Sequence, residues 1–434
     1  MDLDRRHFLA AAGAVSLPAV LAGCGFAPSS SSDSQPSGTD TITFTTWGTD
    51  SELAGFRSAI SSFESANPGS KVTLNAVPYD QMFTNIDAQL QAGNPPDVFR
   101  VPYYTFGSYA GRGQLLDLGP HLADGFSDRF TPQAWAAVQN GGKAYGVPHH
   151  TDTSVILYNK ALLESAGITS VPTSLDQAWT WDEFAQLLQT MRDKLPGSRY
   201  PLAVNWQGNG VTRWLSWLFE SDGRFLAEDL KTPAIDSAQG KEALDFTKSF
   251  FEKKFVPQNN SVKSTKLAAD LWYGQTTAMT FGGAFLIPDS EKTLEFEWGA
   301  TFAPRNKRSA GDFGGNALVA TKAARNPALV AKFFDHMTNA DQMRAFCESA
   351  SLLPTRADLI EKGIDFKVRP ELSPVFVGQA SSVKAQDSGQ VASPSMSKII
   401  TVLKDNLEAA FVGGQDTAAA LSSMSSGIGA ATAS

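Results

Sequence analysis

The sequence predicts an α/β protein with sheets of parallel type and enough chain for two or three lobes. Strand-like and helix-like periodicities alternate from residue 42 to residue 99, and the alternation restarts after Gly146. Such alternation is typical of parallel sheets with right-handed crossovers. The chain has 434 residues, which at ordinary domain sizes corresponds to more than one lobe.

The first group of elements has the order strand, helix, strand, helix, strand. Alternating apolar and polar residues predict a strand, and apolar residues every three or four positions predict a helix. The strands cover residues 42–47, 72–76 and 96–99, and the helices cover residues 53–63 and 82–90. Asn67, Pro68 and Gly69 end the first helix, and Gly93 ends the second.

The second group follows Gly146 and is also mixed. Thr180 and Glu183 predict a capping box that opens a helix ending near Leu195, and Asn326 followed by Pro327 predicts another helix start. Gly282-Gly283 is expected to break a strand. The remaining predicted strands or extended segments are 153–158, 201–206, 278–281, 299–302 and 317–321, and the remaining predicted helices are 213–221 and 238–255.

The first 24 residues have the layout of an export signal. Arg5-Arg6 precedes an apolar run over residues 8–21, which is too short to cross a bilayer comfortably. The twin arginine predicts export by the twin-arginine route. Leu21-Ala22-Gly23-Cys24 resembles the lipobox of bacterial lipoproteins, so Cys24 is the predicted lipidation site. The alternative is an ordinary cleaved signal with an accidental cysteine. Residues 25–40 are rich in Ser, Pro and Gly and are expected to form a flexible tether.

Composition excludes several classes of partner. The formal net charge is −8 and no basic run follows Arg6, so nucleic acid is not expected as a partner, and contact with a membrane is expected only through the lipid anchor. The two cysteines are Cys24 and Cys347. If Cys24 is acylated, no internal disulfide is possible, and Cys347 is expected to be a buried structural thiol.

Motifs for metal, cofactor or nucleophilic chemistry are missing from the sequence. His149-His150 is the only histidine pair, and neighbours in an extended chain are expected to point opposite ways, so no metal site is predicted. Phosphate-binding and nucleophile-elbow motifs are absent, so no cofactor is expected. Asp152 with Glu220 or Asp222 could serve a glycosidase, but 44 acidic residues make such a pair unspecific.

Aromatic residues at predicted strand ends point to a ligand instead. Ligands bind beyond the carboxyl ends of strands in open α/β sheets, and aromatic faces suit the C–H faces of sugar rings. The aromatic candidates are Trp47, Tyr103, Tyr104, Trp206, Trp272 and Phe285, and nearby polar candidates are Asp50, Asp152, Thr153, Asn209 and Asn316. The alternative for each aromatic residue is a place in the core, which is favoured for Trp217.

Short motifs occur in a characteristic order over residues 41–425. They are Trp47-Gly48, the helix end at 63–69, Pro96-Asp97-Val98, 113–118, 145–148, Asp152-Thr153, 157–160, 180–184, 274–283 and 352–356. In order and spacing the chain resembles the extracellular solute-binding proteins of family 1, the sugar-binding receptors of ABC importers typified by maltose-binding protein.

The resemblance implies roles for individual residues. It places ligand contacts at the end of the first strand, around Tyr103 and Tyr104, and at Asp152, which would grip sugar hydroxyls. The family often has Trp where this chain has Phe285, so stacking would survive without the indole donor. Further implied ligand contacts are Trp47, Asp50, Trp206, Trp214, Gly315 and Asn316.

The resemblance also implies an architecture, a two-lobed periplasmic-binding-protein fold of type II with a hinge of crossing strands. Lobe 1 would comprise residues 41–150 and 305–350, and lobe 2 residues 151–304 and 351–434. The crossings are expected near 151–155, 300–304 and 351–356.

The expected function is that of a substrate-binding lipoprotein on the outer face of the cell membrane. As a monomer it would pass a carbohydrate to the transmembrane subunits of an ABC permease without any catalysis. The alternatives are a lipid-anchored glycoside hydrolase and a binding protein for a polyamine, glycerophosphodiester or metal.

Overall fold

The computed structural model describes residues 40–433. The predicted signal peptide, Cys24 and nearly all of the predicted tether lie outside the described residues. Within the described range, no helix combines the length and the hydropathy needed to cross a bilayer.

The described residues form strands and helices throughout. The strands are β1 (Thr41–Thr46), β2 (Lys71–Ala76), β3 (Val98–Pro102), β4 (Gln139–Asn140), β5 (Lys143–Ala144), β6 (Gly146–His150), β7 (Ser154–Asn159), β8 (Tyr200–Val204), β9 (Thr277–Gly283), β10 (Trp298–Thr301) and β11 (Asn316–Ala320). The α-helices are α1 (Asp50–Ala66), α2 (Tyr79–Gln91), α3 (Tyr103–Gly111), α4 (Pro132–Ala136), α5 (Lys160–Ser165), α6 (Trp181–Lys194), α7 (Leu215–Glu220), α8 (Ala238–Glu252), α9 (Ala268–Tyr273), α10 (Ile287–Thr293), α11 (Pro327–Met337), α12 (Ala340–Ala350), α13 (Ala357–Lys362), α14 (Ser373–Ala380), α15 (Ala385–Val391), α16 (Met396–Phe411) and α17 (Thr417–Thr432).

Two mixed sheets organise the described chain. The first has the order β2-β1-β3-β11-β6 and the second the order β10-β7-β9-β8. The predicted strand–helix alternation is confirmed at the start, where β1 pairs in parallel with β2 and β3. The expectation of parallel-type sheets is wrong in one respect, because each sheet contains one reversed strand. These are β11, antiparallel to β3 and β6, and β7, antiparallel to β9 and β10.

The reversal has a topological cause. β7 follows β6 after three residues, and β11 follows β10 after residues 302–315, so each arrives from the other sheet. Each enters at the edge where its neighbours end: Asn316 is paired with Pro102, and Ser154 with Gly283. A strand that enters there must run against its neighbours, since no helical crossover returns it to the opposite edge.

The two direct connections between the sheets lie side by side. A third segment joins them, because Thr151 and Leu353 exchange backbone hydrogen bonds of 2.8 and 2.9 Å. These segments lie at or beside the three predicted crossings. The predicted boundaries of the two lobes remain a prediction.

Helix starts follow the local sequence closely. Thr180 and Glu183 form the predicted capping box of α6, and the Asn326 side chain accepts from Leu329 N at the start of α11, with Pro327 at the first helical position. Such caps stabilise a helix end by about 1 kcal/mol. Cys347 is buried, which agrees with the predicted structural thiol.

Two predicted elements differ from the structure. β9 continues through Gly282 and Gly283 instead of breaking there. A Cβ at Gly282 would lie 2.5 Å from Leu286 Cδ1, and one at Gly283 would lie 2.5 Å from Phe285 Cε1, so both glycines permit close packing within a strand. The predicted helix 213–221 is split into a 3-10 helix, Gly208–Trp214, and α7.

Asp97 connects elements at the edge of the first sheet that lies opposite to the edge where β11 enters. Its carboxylate accepts from Thr43 N and Oγ1 at 2.9 and 2.8 Å, and from Arg325 Nη2 at 2.8 Å. Burial would raise the pKa of Asp97, but the hydrogen bonds from Arg325 and Thr43 outweigh it and lower the pKa from 3.8 to about 2. The Pro96-Asp97-Val98 motif therefore has a structural role.

We expect Asp97→Asn to destabilise the protein by about 2.5 kcal/mol at neutral pH, because a pKa lowered from 3.8 to about 2 stabilises the fold by that amount. The stabilisation is present above the unfolded-state pKa and is lost as pH falls from about 4 to about 2. Urea unfolding at pH 7 and pH 3 measures this. The difference between wild type and variant should shrink at pH 3, and the exposed Asp124→Asn is the control; an equal difference at both pH values would contradict the linkage.

Candidate functional site

A cleft of about 640 Å³ opens between the two sheets. Its walls come from the edge where β1, β3 and β6 end and β11 begins, and from the 3-10 helix that follows β8. This is the location expected for a ligand in an open α/β sheet. The lining comprises Trp47, Gly48, Thr49, Glu52, Tyr79, Arg100, Pro102, Tyr104, His150, Asp152, Asn205, Gln207, Asn209, Gly210, Thr212, Arg213, Phe219, Leu267, Phe285, Asp312, Phe313, Gly314, Gly315, Asn316, Leu352 and Val391.

Aromatic rings form one wall of the cleft. The ring centroids of Trp47 and Tyr79 lie 5.2 Å apart, and the hydroxyls of Tyr79 and Tyr104 are 2.6 Å apart. Tyr79 is 42% exposed, so its ring remains available to a ligand. Phe285, which follows β9 of the second sheet, also lines the cleft, with the Arg213 guanidinium 5.7 Å from its ring centre. The wall offers flat apolar faces with hydroxyl groups at their edge.

Arg100 holds Trp47 in place. It projects from the buried strand β3, its Nη1 donates to Trp47 O at 2.8 Å, and its Cζ lies 4.5 Å from the centre of the Trp47 ring. Its Nη2 donates to Glu52 Oε1 at 2.5 Å and approaches His150 Nε2 at 2.9 Å. The guanidinium therefore fixes both the backbone and the ring of Trp47.

His149 and His150 are neutral and hydrogen-bonded to each other. Burial, reinforced by Arg100, lowers the pKa of His149 to about 3 and that of His150 well below its usual range. His150 Nε2 must accept, because Arg100 is only a donor, so the His150 proton lies on Nδ1. Nδ1 then donates to His149 Nδ1 at 3.0 Å. His150 thereby presents an acceptor to Arg100 and to Asn316 Nδ2, which is 2.9 Å away.

The prediction that the two histidines point opposite ways is wrong. Asn316 pairs with His150 but the next residue of β11, Ala317, pairs with Pro148, so His149 is an extra residue in β6. Such a bulge changes the direction of side chains locally. The two imidazoles consequently meet instead of lying on opposite faces.

The floor of the cleft holds two carboxylates and one guanidinium. Asp152 lies on the connection between β6 and β7, Asp312 on the connection between β10 and β11, and Arg213 on the 3-10 helix. Arg213 Nη2 is 3.6 Å from Asp152 Oδ2, and Arg213 Nε is 3.7 Å from Asp312 Oδ2. Both distances exceed hydrogen-bonding distance. Asp152 Oδ1 and Asp312 Oδ2 have no hydrogen-bond partner, whereas Asp312 Oδ1 accepts from Ser154 N at 2.8 Å.

Burial dominates the titration of both carboxyls. It raises the pKa of Asp152, although Arg213 opposes the effect. It raises the pKa of Asp312 to about 6, with Arg213 again opposing and Asp152 adding to the rise. Gly314 covers Asp152 closely, since a Cβ there would lie 1.7 Å from Asp152 Oδ1. The carboxylate is held against the backbone of the second connection.

The structure brings seven of the predicted site residues to the cleft. These are Trp47, Tyr104, Asp152, Asn209, Phe285, Gly315 and Asn316. Gly315 has φ +91, and a Cβ there would lie 2.4 Å from His150 O, so the close approach of the two connections requires glycine.

The other six predicted residues do not line the cleft, and Thr153 is one of them, buried at 1% exposure. Trp206, Trp214 and Trp272 are fully buried in the cores, where Trp214 Nε1 donates to Thr247 and Trp272 Nε1 to Ser290. Tyr103 is also buried behind the wall, donating to His150 O at 3.0 Å. Asp50 is the exposed first residue of α1, and Thr49 and Glu52 line the cleft instead. A strand-end position alone does not determine which way a side chain points.

Sequence patterns missed Glu52, Tyr79, Arg100, Arg213 and Asp312. The sequence does contain one sign of Arg100, because a charged residue inside an apolar strand requires a buried partner.

Glu220 and Asp222, the acids considered for a glycosidase, do not line the cleft. Glu220 is buried and accepts from Trp181 Nε1 at 2.6 Å, and Asp222 pairs with Arg308 at 3.3 Å. Among residues 40–433, no group of three or more His, Cys, Asp or Glu side chains could hold a metal ion.

Comparison with known proteins gives a consistent result. Residues 47–344 match the family model described as bacterial extracellular solute-binding protein. The maltodextrin-binding protein MdxE of Bacillus subtilis (strain 168) is 24% identical over 360 residues, which cover 76% of this chain and 83% of the relative.

Solved structures agree on the fold. The GacH receptor of Streptomyces glaucescens GLA.O, solved unliganded and with acarbose, superposes with a TM-score of 0.74 at 21% identity and covers 89% of this chain and 97% of its own. UgpB from Mycobacterium tuberculosis in complex with glycerophosphocholine gives 0.75 at 19% identity, covering 91% and 98%. The chain has the two-lobed periplasmic-binding-protein fold of type II.

Proposed function

The chain belongs to the bacterial extracellular solute-binding proteins, and from that premise we propose that it captures a sugar or oligosaccharide in the interlobe cleft and delivers it to the permease of an ABC importer. Proteins of this family bind a solute without transforming it, so the chain is not an enzyme and the hydrolase alternative is set aside. The substrate-binding role follows from the family; the identity of the ligand is the proposal.

One observation carries the choice of a sugar: the cleft combines an aromatic wall with polar groups held in fixed positions. Trp47 and Tyr79 offer ring faces for the apolar side of a pyranose, and Asp152 and Asn316 offer an acceptor and an amide for its hydroxyls. MdxE is named for maltodextrin, which agrees with this ligand class. UgpB was solved with glycerophosphocholine, so a glycerophosphodiester is the second candidate, for which Arg213 would be the phosphate contact.

Capture would proceed by hinge closure. Periplasmic binding proteins are a standard example of that motion, and the two connections carrying Asp152 and Asp312 are the segments that would bend. A ligand touching both lobes favours the closed state, because only that state makes both sets of contacts. The closed monomer would then dock on the transmembrane subunits.

Anchoring and export are also proposals. The Arg5-Arg6 pair supports twin-arginine export, and Leu21-Ala22-Gly23-Cys24 supports lipidation at Cys24. The mature protein would sit on the outer face of the cell membrane, with the folded part tethered by residues 25–40.

A thermal-shift panel tests the ligand class. A protein that comprises residues 25–434, and therefore lacks Cys24, is mixed in turn with maltotriose, an arabinooligosaccharide, a glucosamine trisaccharide, glycerophosphocholine and spermidine. A ligand at 100 times its Kd stabilises the protein by about 2.7 kcal/mol, which gives a clear rise in Tm. We expect a sugar to give the largest rise and chromatography to return it intact. A rise confined to glycerophosphocholine or spermidine would refute the proposal.

A further inference from the structure

The floor of the cleft carries more negative than positive charge. Asp152 and Asp312 are 6% and 4% exposed, and Arg213 is the one cation paired with either. When both carboxyls are ionised, this group of three has a net charge of −1. Buried ionised groups are costly unless they are paired.

No other cation of the described lining can balance this charge. Arg100 is the only other Lys or Arg there, and it already pairs with Glu52 at 2.5 Å. His150 is neutral, since burial and Arg100 lower its pKa well below the usual range. The Arg100–Glu52 pair is therefore balanced on its own, and the excess charge remains at Asp152 and Asp312.

The carboxylate oxygens of Asp152 and Asp312 do not all have hydrogen-bond partners. Asp152 Oδ1 and Asp312 Oδ2 have no hydrogen-bond partner, and both ion pairs to Arg213 exceed hydrogen-bonding distance. Buried carboxylate oxygens are normally satisfied. A second cation beside Arg213 would bring the net charge of the floor to zero.

The surroundings suit an organic cation. Phe285 and Tyr104 line the cleft with Arg213, and aromatic faces attract cations. A neutral sugar would leave the excess charge buried more deeply on closure, and an anionic ligand would add to it. A protonated amine on a sugar ring would remove it.

We propose that the ligand is an amino sugar whose protonated amine lies against Asp152 and Asp312. This inference rests on the proposed sugar-binding function and narrows its substrate class. The Asp152–Asp312 pair then selects for charge, and the Trp47–Tyr79 wall selects for a sugar ring.

Calorimetric titration at pH 7.5 with three matched trisaccharides tests the inference. The probes are the glucosamine trisaccharide, its fully N-acetylated counterpart and maltotriose. We expect the free amine to bind at least about tenfold more tightly than either neutral sugar. Equal or tighter binding of a neutral sugar would overturn the inference while preserving the proposed function. Failure of all three to bind would overturn the inference alone, because the proposed function is refuted only if no sugar of the thermal-shift panel binds.

A variant tests the role of Asp312 directly. Asp312→Asn keeps an oxygen to accept from Ser154 N but removes the charge. We expect it to weaken binding of the glucosamine trisaccharide about tenfold more than it weakens binding of maltotriose. Asp124→Asn, an exposed acid outside the cleft, is the control for net charge. An equal loss for both sugars would contradict a charge-selective role.

The wild-type protein supplies a second measurement in case that variant does not fold. Burial holds the pKa of Asp312 near 6, with Arg213 lowering it and Asp152 raising it, while Glu52 and Arg100 act on Asp152. Protonation below pH 6 removes the charge that attracts the amine, so affinity for the glucosamine trisaccharide should fall up to about tenfold between pH 7.5 and pH 5, with little change for maltotriose. A flat profile for the amine would overturn the inference.

Discussion

Replacing Asp152 by alanine is expected to raise the Kd for the sugar identified by the panel by about tenfold or more. A carboxylate can accept from two hydroxyls, and hydrogen bonds to a charged group contribute about 1.5–3 kcal/mol each. Each 1.4 kcal/mol corresponds to a factor of about ten in Kd. Asp152 lies on the connection between the lobes, so the loss acts on the closed state.

The same variant should not destabilise the empty protein. Asp152 Oδ1 has no hydrogen-bond partner, and Oδ2 faces Arg213 Nη2 at 3.6 Å, so the side chain caps no turn. Burial raises the pKa of Asp152. Its favourable contribution is therefore present below the unfolded-state pKa and lost as pH rises through the folded-state pKa. We expect the Tm of Asp152→Ala to equal or exceed that of wild type at pH 7.

Two further variants distinguish the effect of the Asp152 charge from the effect of the side chain's position. Asp152→Asn keeps the volume and should lose affinity in the same direction. Gly314→Ala leaves Asp152 in the sequence but places a Cβ 1.7 Å from its Oδ1, so the side chain must move. If calorimetry finds wild-type affinity for Asp152→Ala together with a lowered Tm, Asp152 is structural and leaves the site.

Replacing Cys24 by serine is expected to release the protein from membranes completely. The lipid would be attached through the Cys24 thiol, and serine offers no thiol. Stable anchoring needs two acyl chains, because a single chain binds a membrane only marginally. Without the Cys24 thiol we therefore expect no residual anchoring. Cell fractionation followed by a high-salt wash measures this, and the variant should appear in the soluble fraction.

Cys347 provides the matched control. It is buried in the fold, so Cys347→Ala removes the other thiol without touching the anchor. That variant should stay in the membrane fraction. Cys24→Ser protein that resists the salt wash would mean that another segment holds the protein to the membrane.

The local elements could be predicted from the sequence because their causes are local. The strand–helix alternation of residues 42–99 gave the correct parallel pairing of β1 with β2 and β3. The capping box at Thr180 and the Asn326-Pro327 helix start are decided by neighbours within three residues. Motif order was sufficient to indicate the family, and the match over residues 47–344 agrees.

Tertiary structure alone decided the reversed strands and the bulge. β7 and β11 run antiparallel to their neighbours because each arrives from the other sheet. The hydrophobic periodicity of a strand does not reveal its direction in the sheet. His149 and His150 meet because the register of β6 against β11 shifts by one residue. Both outcomes depend on pairing partners more than 100 residues away in sequence.

In the candidate site, too, the sequence predicted some features and the tertiary structure alone decided others. Aromatic residues at strand ends were visible in the sequence, yet Trp47 faces the cleft and Trp206 lies in the core. Asp152, Arg213 and Asp312 come from three separate segments, and only the fold brings them together. A sequence determines which residues can stack, cap or carry charge, whereas the direction of each side chain and the net charge of a cleft depend on packing between distant segments.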